Sequence, residues 1–206
     1  MLDFTAARDT RTEPYHWSTV TGLLPAEARA ALRESVPALE HFTRSERRTG
    51  GDKTYGMHVL PLVHRGEEQP ALRKAGDAWA GFAAAVQSPE YRRWVGETVG
   101  ADVSGGAFDV GVFVFGEGDW VSSHTDKADK NATHVLYLNE EWGTDDGGEF
   151  LVRGTAGDDA PVHASIVPGG GRSVLFARAE NSWHAVAPVR PSAPGLRVTV
   201  QVEMWR

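Results

Sequence analysis

A series of short apolar segments in the second half of the chain constrains the fold most strongly. From about residue 105 onward, runs with the length and alternation of β-strands are separated by clusters of glycine and aspartate. The clearest runs are AFDVGVFVF, THVLYLN, EFLVR, VHASIV, RSVLFA and LRVTVQVEMW, and the breaks include GEGD, GTDDGG, GTAGDD and PGGG. Strands of this length and spacing are typical of an antiparallel double sheet or barrel.

The first hundred residues are predicted to be mainly helical. The segment PAEARAALRESV starts at Pro25 with strong helix formers, and PALRKAGDAWAGFAAAVQ repeats apolar residues at helical spacing. Ser88, Pro89 and Glu90 supply a cap, a first-turn proline and an acid for a third helix that ends near Gly100. Between the first two helices, the glycine-rich TGGDKTYGMHV predicts a mobile loop.

These segments predict one α+β domain, mainly β, over residues 1–206. A mainly helical flanking region in 1–104 precedes a β-sandwich core in 105–206. At 206 residues the chain is long enough for one sizeable core and too short for two full domains.

Composition excludes several classes of function. The net charge of −7 leaves no basic surplus to neutralise phosphates, which argues against nucleic acid and anionic membranes as partners. Neither a signal peptide nor an apolar run of about 18 residues is present, so we expect a cytoplasmic protein with its oligomeric state left open. Because the chain has no cysteine, His, Asp and Glu remain as metal ligands.

A candidate metal site begins with His124 and Asp126 in VSSHTD, just ahead of a strand-like run. Side chains at i and i+2 of extended backbone point to the same side, so both could bind one ion. The candidate third ligand is His184 in NSWHAVAPV, and two imidazoles with one carboxylate are typical of non-haem Fe(II) oxygenases. Taken alone, a His-x-Asp pair is more often a pair of polar loop residues. His134, which falls within a strand, is expected to be a hydrogen-bonded structural histidine.

The last predicted strand has two different faces. Its apolar face comprises Leu196, Val198, Val200, Val202 and Met204, and its polar face Arg197, Thr199, Gln201 and Glu203. A polar face suits an exposed sheet surface, but it equally suits a barrel wall that presents the Arg197 guanidinium to a carboxylate. The position of Arg197, thirteen residues after His184, favours the barrel wall.

Six segments of the C-terminal half carry a family resemblance when they are taken in order. They are FGEGDWVSSHTD, THVLYLNEEW, DDGGEF, PGGGRSVLF, SWHAVAPV and LRVTV, and the resemblance covers about residues 107–205. This half of the chain resembles the Fe(II)- and 2-oxoglutarate-dependent dioxygenases, in particular the prolyl-hydroxylase-like branch. The resemblance implies a double-stranded β-helix, a jelly-roll (cupin-like) core with flanking N-terminal helices.

The resemblance also implies the main site residues. His124, Asp126 and His184 match the iron ligands of the family, and Arg197 matches the residue that binds the distal carboxylate of 2-oxoglutarate. The implied cofactor is Fe(II), with 2-oxoglutarate and O2 as cosubstrates and ascorbate as a further candidate.

Other positions carry less specific expectations. Tyr137 matches a position where relatives place a tyrosine hydroxyl on the same carboxylate, although a buried strand aromatic would explain it equally well. Thr199 shares the face of Arg197 and could assist it. Phe115 stands where many relatives have a tyrosine, so a hydroxyl contact from that position is absent.

The implied reaction is hydroxylation of a substrate C–H bond, coupled to decarboxylation of 2-oxoglutarate to succinate. The aspartate at position 126 favours hydroxylation over halogenation, while desaturation and ring formation stay open. The short chain favours a small-molecule substrate, an amino acid or a natural-product intermediate, and a glycine-rich loop at 49–56 could close over it with Tyr55 or His58. The alternatives are a prolyl or other protein-residue hydroxylase and, outside enzymes, a cupin-like metal-binding module.

Overall fold

The computed structural model describes residues 2–206. The helices are α1 (Ala26–Glu34), α2 (Pro70–Ala75), α3 (Asp77–Val86) and α4 (Pro89–Val99), with short 3₁₀ turns at Leu39–His41 and Thr144–Asp146. The strands of the first half are β1 (Ala7–Arg11), β2 (Trp17–Thr21), β3 (Thr43–Arg47), β4 (Tyr55–His64) and β5 (Glu67–Glu68). Those of the second half are β6 (Phe108–Phe115), β7 (Val121–His124), β8 (Lys130–Tyr137), β9 (Phe150–Arg153), β10 (Val162–Ile166), β11 (Arg172–Ala177), β12 (His184–Val186) and β13 (Arg197–Trp205).

The strands form one curled antiparallel sheet. Their order along it is β1-β2-β11-β8-β13-β6-β4-β7-β12-β9-β10, with β3 and β5 paired to β4. Its two ends fold over each other, because Val135 and Phe176 of the central strands pack in one cluster with Phe150 and Ile166 of β9 and β10. This confirms the predicted double-stranded β-helix core, whose interior lies between the two faces.

The helices cover the outer face of the larger part of the sheet. Trp79, Phe82 and Trp94 from α3 and α4 pack in the same apolar cluster as Val200 and Val202 of β13. Because side chains alternate along a strand, the polar face of β13 is turned the other way, into the barrel. Within the described residues, no helix is long and apolar enough to cross a membrane.

Three expectations need correction. The predicted second helix is two helices, because Gly76 adopts φ 88° and ψ 178° and ends α2 before α3 begins. Much of the predicted loop is strand, since β4 already begins at Tyr55. Leu196 precedes β13 and is 39% exposed, so it does not belong to the apolar face of that strand.

The first half of the chain also contributes five strands that the sequence did not predict. The strands β1 and β3 have the sequences ARDTR and TRSER, which contain no apolar alternation. They are strands because they pair with β2 and β4, and such pairing overrides intrinsic preference.

The predicted third helix matches α4. The side chain of Ser88 accepts a hydrogen bond from the Tyr91 backbone N–H, and Gly100 ends the helix in the left-handed conformation.

Candidate metal centre

Three buried side chains converge at one end of the barrel. Ligand atoms of His124, Asp126 and His184 lie within 4.8 Å of one another. His124 is the last residue of β7 and pairs directly with His184, the first residue of β12. Asp126 follows β7 by two residues. The two predicted ligands of the His-x-Asp pair and the predicted third ligand, His184, therefore lie together.

Both histidines are oriented by the backbone in the same way. The Nδ1–H of His124 donates to the Ser122 carbonyl oxygen, and that of His184 donates to the Ser182 carbonyl oxygen, each at 2.9 Å. These bonds fix the tautomer and leave both Nε2 atoms free to bind a metal. Burial lowers the pKa of both imidazoles, which favours the neutral form that metals bind.

The carboxylate of Asp126 is held at both oxygens. Lys130 Nζ donates to Oδ1 at 2.9 Å, and Thr133 Oγ1 donates to Oδ2 at 2.6 Å. Burial alone would raise the pKa of Asp126, but the charge of Lys130 together with these hydrogen bonds lowers it overall. The carboxylate is therefore ionised and fixed in orientation.

Lys130 was not predicted as a site residue. It is buried and also donates to Glu203 Oε1 of β13 at 2.7 Å, so one ammonium bridges two carboxylates. The available signal was a lysine at the start of β8, four residues after Asp126.

Replacing Lys130 with methionine is expected to destabilise the metal-free protein by about 3 kcal/mol or more, because it leaves buried carboxylates without their cation. Urea unfolding measures this change. The control is Lys127→Met, an exposed lysine whose replacement should stay within about 0.5 kcal/mol of wild type. Equal stability of the two variants would show that the bridge is unimportant.

Arg197 lies deep in the barrel with only 1% of its surface exposed. Its Nε donates to the Gly148 carbonyl oxygen at 2.7 Å, while its two terminal nitrogens are buried without an acceptor among residues 2–206. A Cβ at position 148 would lie 2.8 Å from the Arg197 Cδ, so glycine there makes room for the side chain. A buried, unpaired guanidinium fits a carboxylate supplied by a ligand.

The side chains around Arg197 include the residues with less specific predicted roles, Tyr137, Thr199 and Phe115. Its guanidinium lies 4.7 Å from the Phe115 ring centroid and 5.4 Å from that of Tyr137. The buried Tyr137 hydroxyl has no hydrogen-bond partner among the described residues, and burial raises its pKa to about 12 despite the nearby Arg197 charge. The geometry thus places Tyr137 beside Arg197, but its side chain does not line the cavity. The Thr199 hydroxyl instead reaches the Phe113 carbonyl oxygen at 3.5 Å, so Thr199 has a structural contact of its own.

The triad and Arg197 line one cavity of about 150 Å³. Its other walls come from Lys53, Met57, Phe113, Val121, Thr133, Val135, Phe150, Phe176, Val186, Gln201 and Glu203. Two imidazoles, a carboxylate and an unpaired guanidinium around one cavity fit an Fe(II) ion and an anionic cosubstrate. From the segment predicted to close over the site, Lys53 lines the cavity while Tyr55 does not, and His58 is also absent from the lining.

His134, outside the cavity, is the structural histidine that we expected. Its Nδ1 lies 2.8 Å from the Tyr91 hydroxyl, and complete burial lowers its pKa to about 3.

Comparison with known proteins agrees with this geometry. A family model described as the 2OG-Fe(II) oxygenase superfamily matches residues 110–204, which include the triad and Arg197. No curated protein matches the chain in sequence.

Solved structures share the fold at low sequence identity. A prolyl-4-hydroxylase from Pseudomonas putida is 23% identical with a TM-score of 0.65, and the alignment covers 92% of each chain. A Trichoplax adhaerens prolyl hydroxylase, in complex with a peptide fragment of hypoxia inducible factor, is 18% identical over 92% of this chain and 83% of that one, with a TM-score of 0.66. The α-ketoglutarate-dependent epimerase SnoN from nogalamycin biosynthesis is 15% identical over 91% and 77%, with a TM-score of 0.59.

Proposed function

We propose that this protein, an Fe(II)- and 2-oxoglutarate-dependent dioxygenase whose residues 110–204 match the 2OG-Fe(II) oxygenase superfamily, hydroxylates a C–H bond of a small molecule. The substrate class is an amino acid or a natural-product intermediate. The observation that carries this proposal is the shared cavity of the triad and the unpaired Arg197 guanidinium.

Each residue has a separate task in this proposal. The Nε2 atoms of His124 and His184 and the carboxylate of Asp126 hold the iron, and Arg197 binds the distal carboxylate of 2-oxoglutarate. When bound, iron and 2-oxoglutarate supply the oxidising chemistry, in which decarboxylation to succinate accompanies oxygen transfer to the substrate. The protein contributes orientation and a buried cavity that excludes water.

Asp126 supports hydroxylation as the outcome. Its carboxylate is held by Lys130 and Thr133 at the triad, so it occupies a ligand position that a halide would otherwise need. Oxygen transfer is therefore favoured over halogen transfer.

The size of the cavity supports a small substrate. A volume of about 150 Å³ must accommodate the cosubstrate as well as the reacting part of the substrate. Among the structural neighbours, the epimerase SnoN has been solved in complex with Fe³⁺, α-ketoglutarate and nogalamycin RO, so this fold accommodates small molecules.

The second candidate is hydroxylation of a prolyl or other residue in a protein. The observation in its favour is the similarity to two prolyl hydroxylase structures over 92% of this chain, one of them bound to a peptide. A non-enzymatic metal-binding module is disfavoured, because such a module would not need an unpaired buried guanidinium beside its metal.

Product analysis with labelled dioxygen tests the proposal. Turnover with a panel of free amino acids and of proline-containing peptides should yield succinate and a product that carries one labelled oxygen. Hydroxylation of peptides alone would favour the second candidate. Loss of two hydrogens would indicate desaturation, and a chlorinated product in the presence of chloride would contradict the role of Asp126. Absence of 2-oxoglutarate-dependent succinate formation would contradict the proposed function itself.

A further inference from the structure

One cation in the cavity has no task in the proposed reaction. Lys53 lies in the segment between β3 and β4 and lines the same cavity as the triad. Among residues 2–206, no hydrogen bond or ion pair is made by its ammonium. The side chain is half-buried, so the ammonium gives up part of its hydration without gaining a protein partner.

The two acids that line the cavity with Lys53 are already engaged. They are Asp126 and Glu203, and both carboxylates accept hydrogen bonds from Lys130. Burial lowers the pKa of Lys53, and the attraction of these two carboxylates offsets only part of that effect. An additional anion in the cavity would restore full stabilisation of the ammonium.

Lys53 and Arg197 serve different parts of the cavity. Thr54, the residue after Lys53, exchanges hydrogen bonds with Ser122 of β7, whereas the Arg197 guanidinium is held at the Gly148 carbonyl oxygen. Lys53 therefore enters the cavity beside β7, which carries the ligand His124, and not at Gly148, which holds the guanidinium that would bind the distal end of the cosubstrate.

We propose that Lys53 binds a carboxylate of the substrate, so that the protein acts on free acids such as amino acids and not on their amides. This inference rests on the proposed function and specifies its substrate class. A hydrogen bond between an ammonium and a carboxylate is stronger than one to a neutral amide oxygen, and an amide would leave the charge of Lys53 uncompensated. The same contact disfavours a residue within a peptide, whose carboxyl group is consumed by the peptide bond.

Calorimetric titration with matched ligands tests the assignment. L-Proline, L-leucine, L-phenylalanine and L-lysine are each compared with their primary amides, binding anaerobically to protein loaded with Co(II) and 2-oxoglutarate. At least one acid should bind about tenfold or more tightly than its amide to the wild type, since a hydrogen bond between two ionised groups is roughly twice as strong as a neutral one. Lys53→Gln should abolish this preference and Lys53→Arg should retain it. Lys127→Gln is the control and should keep the preference, because Lys127 is exposed.

The outcomes separate the two proposals. If no acid binds more tightly than its amide, or if Lys53→Gln keeps the preference, the role of Lys53 is wrong. If Lys53→Gln weakens 2-oxoglutarate itself as strongly as loss of Arg197 does, Lys53 is a cosubstrate ligand and the assignment is also wrong. The proposed function stands or falls separately, by succinate formation in the wild-type protein.

Discussion

Replacing Arg197 with methionine is expected to weaken 2-oxoglutarate binding by at least about 30-fold. Removing one partner of a buried charge pair costs roughly 2–5 kcal/mol, and a loss of about 30-fold corresponds to the lower end of that range. Fe(II) binding should stay near the wild-type value, because the triad makes no hydrogen bond to the guanidinium. Anaerobic titration of the metal and of 2-oxoglutarate separates the two effects.

The stability of this variant gives a second and independent result. Without cosubstrate, wild-type Arg197 has two buried nitrogens without acceptors, so it stabilises the fold poorly. Methionine removes that buried charge and loses the hydrogen bond to Gly148, worth about 1 kcal/mol, together with the contacts of the guanidinium with the Phe115 and Tyr137 rings. The metal-free variant should therefore be as stable as wild type or more stable, while 2-oxoglutarate should raise the melting temperature of the wild type alone.

The control for Arg197 is an arginine elsewhere on the sheet. Arg172 begins β11 and is exposed, so Arg172→Met should leave both metal and 2-oxoglutarate binding unchanged. Unaltered 2-oxoglutarate affinity in Arg197→Met would contradict its assignment as the cosubstrate residue.

The core of the site could be predicted from sequence because strand periodicity carries the information. Residues of β13 alternate between the helix-packed face and the barrel interior, so the position of Arg197 follows from the run LRVTVQVEMW. The His-x-Asp spacing likewise places two side chains at one end of β7.

The groups that support the site could not be predicted in this way. Lys130 and Glu203 are 73 residues apart and meet only because β8 pairs with β13. Lys53 enters the cavity from a segment whose sequence indicates only a loop. No local sequence pattern predicts such contacts, because they depend on how strands that are distant in sequence are arranged in the fold.

The same reasoning explains the errors in the first half of the chain. The strands β1 and β3 are polar and exposed, and only their pairing partners make them strands. In the predicted second helix, the apolar spacing continues across Gly76, so periodicity could not show the break.

Removal of His184 should have the largest effect on metal binding. Its Nε2 is one of two imidazole nitrogens in the triad, and its ring is stacked 5.3 Å from that of Phe150, so its removal leaves one imidazole and one carboxylate of the triad. Loss of a residue that merely orients a ligand costs about 10–100-fold in metal affinity, so loss of the ligand itself should cost more than about 100-fold. Co(II) or anaerobic Fe(II) titration of His184→Ala measures this, with His184→Gln as a variant that preserves more of the side-chain volume.

His134 provides the matched control because it is equally buried but lies against Tyr91 and Trp94, outside the cavity. His134→Ala should be less stable than wild type, since it leaves a cavity and an unpaired Tyr91 hydroxyl, yet it should bind one metal ion with near-normal affinity. Metal should accordingly raise the melting temperature of wild type and of His134→Ala, but not that of either His184 variant. Wild-type metal affinity in His184→Ala would remove this residue from the site. Equal loss of metal binding in His134→Ala would mean that general destabilisation, and not ligand removal, causes the effect.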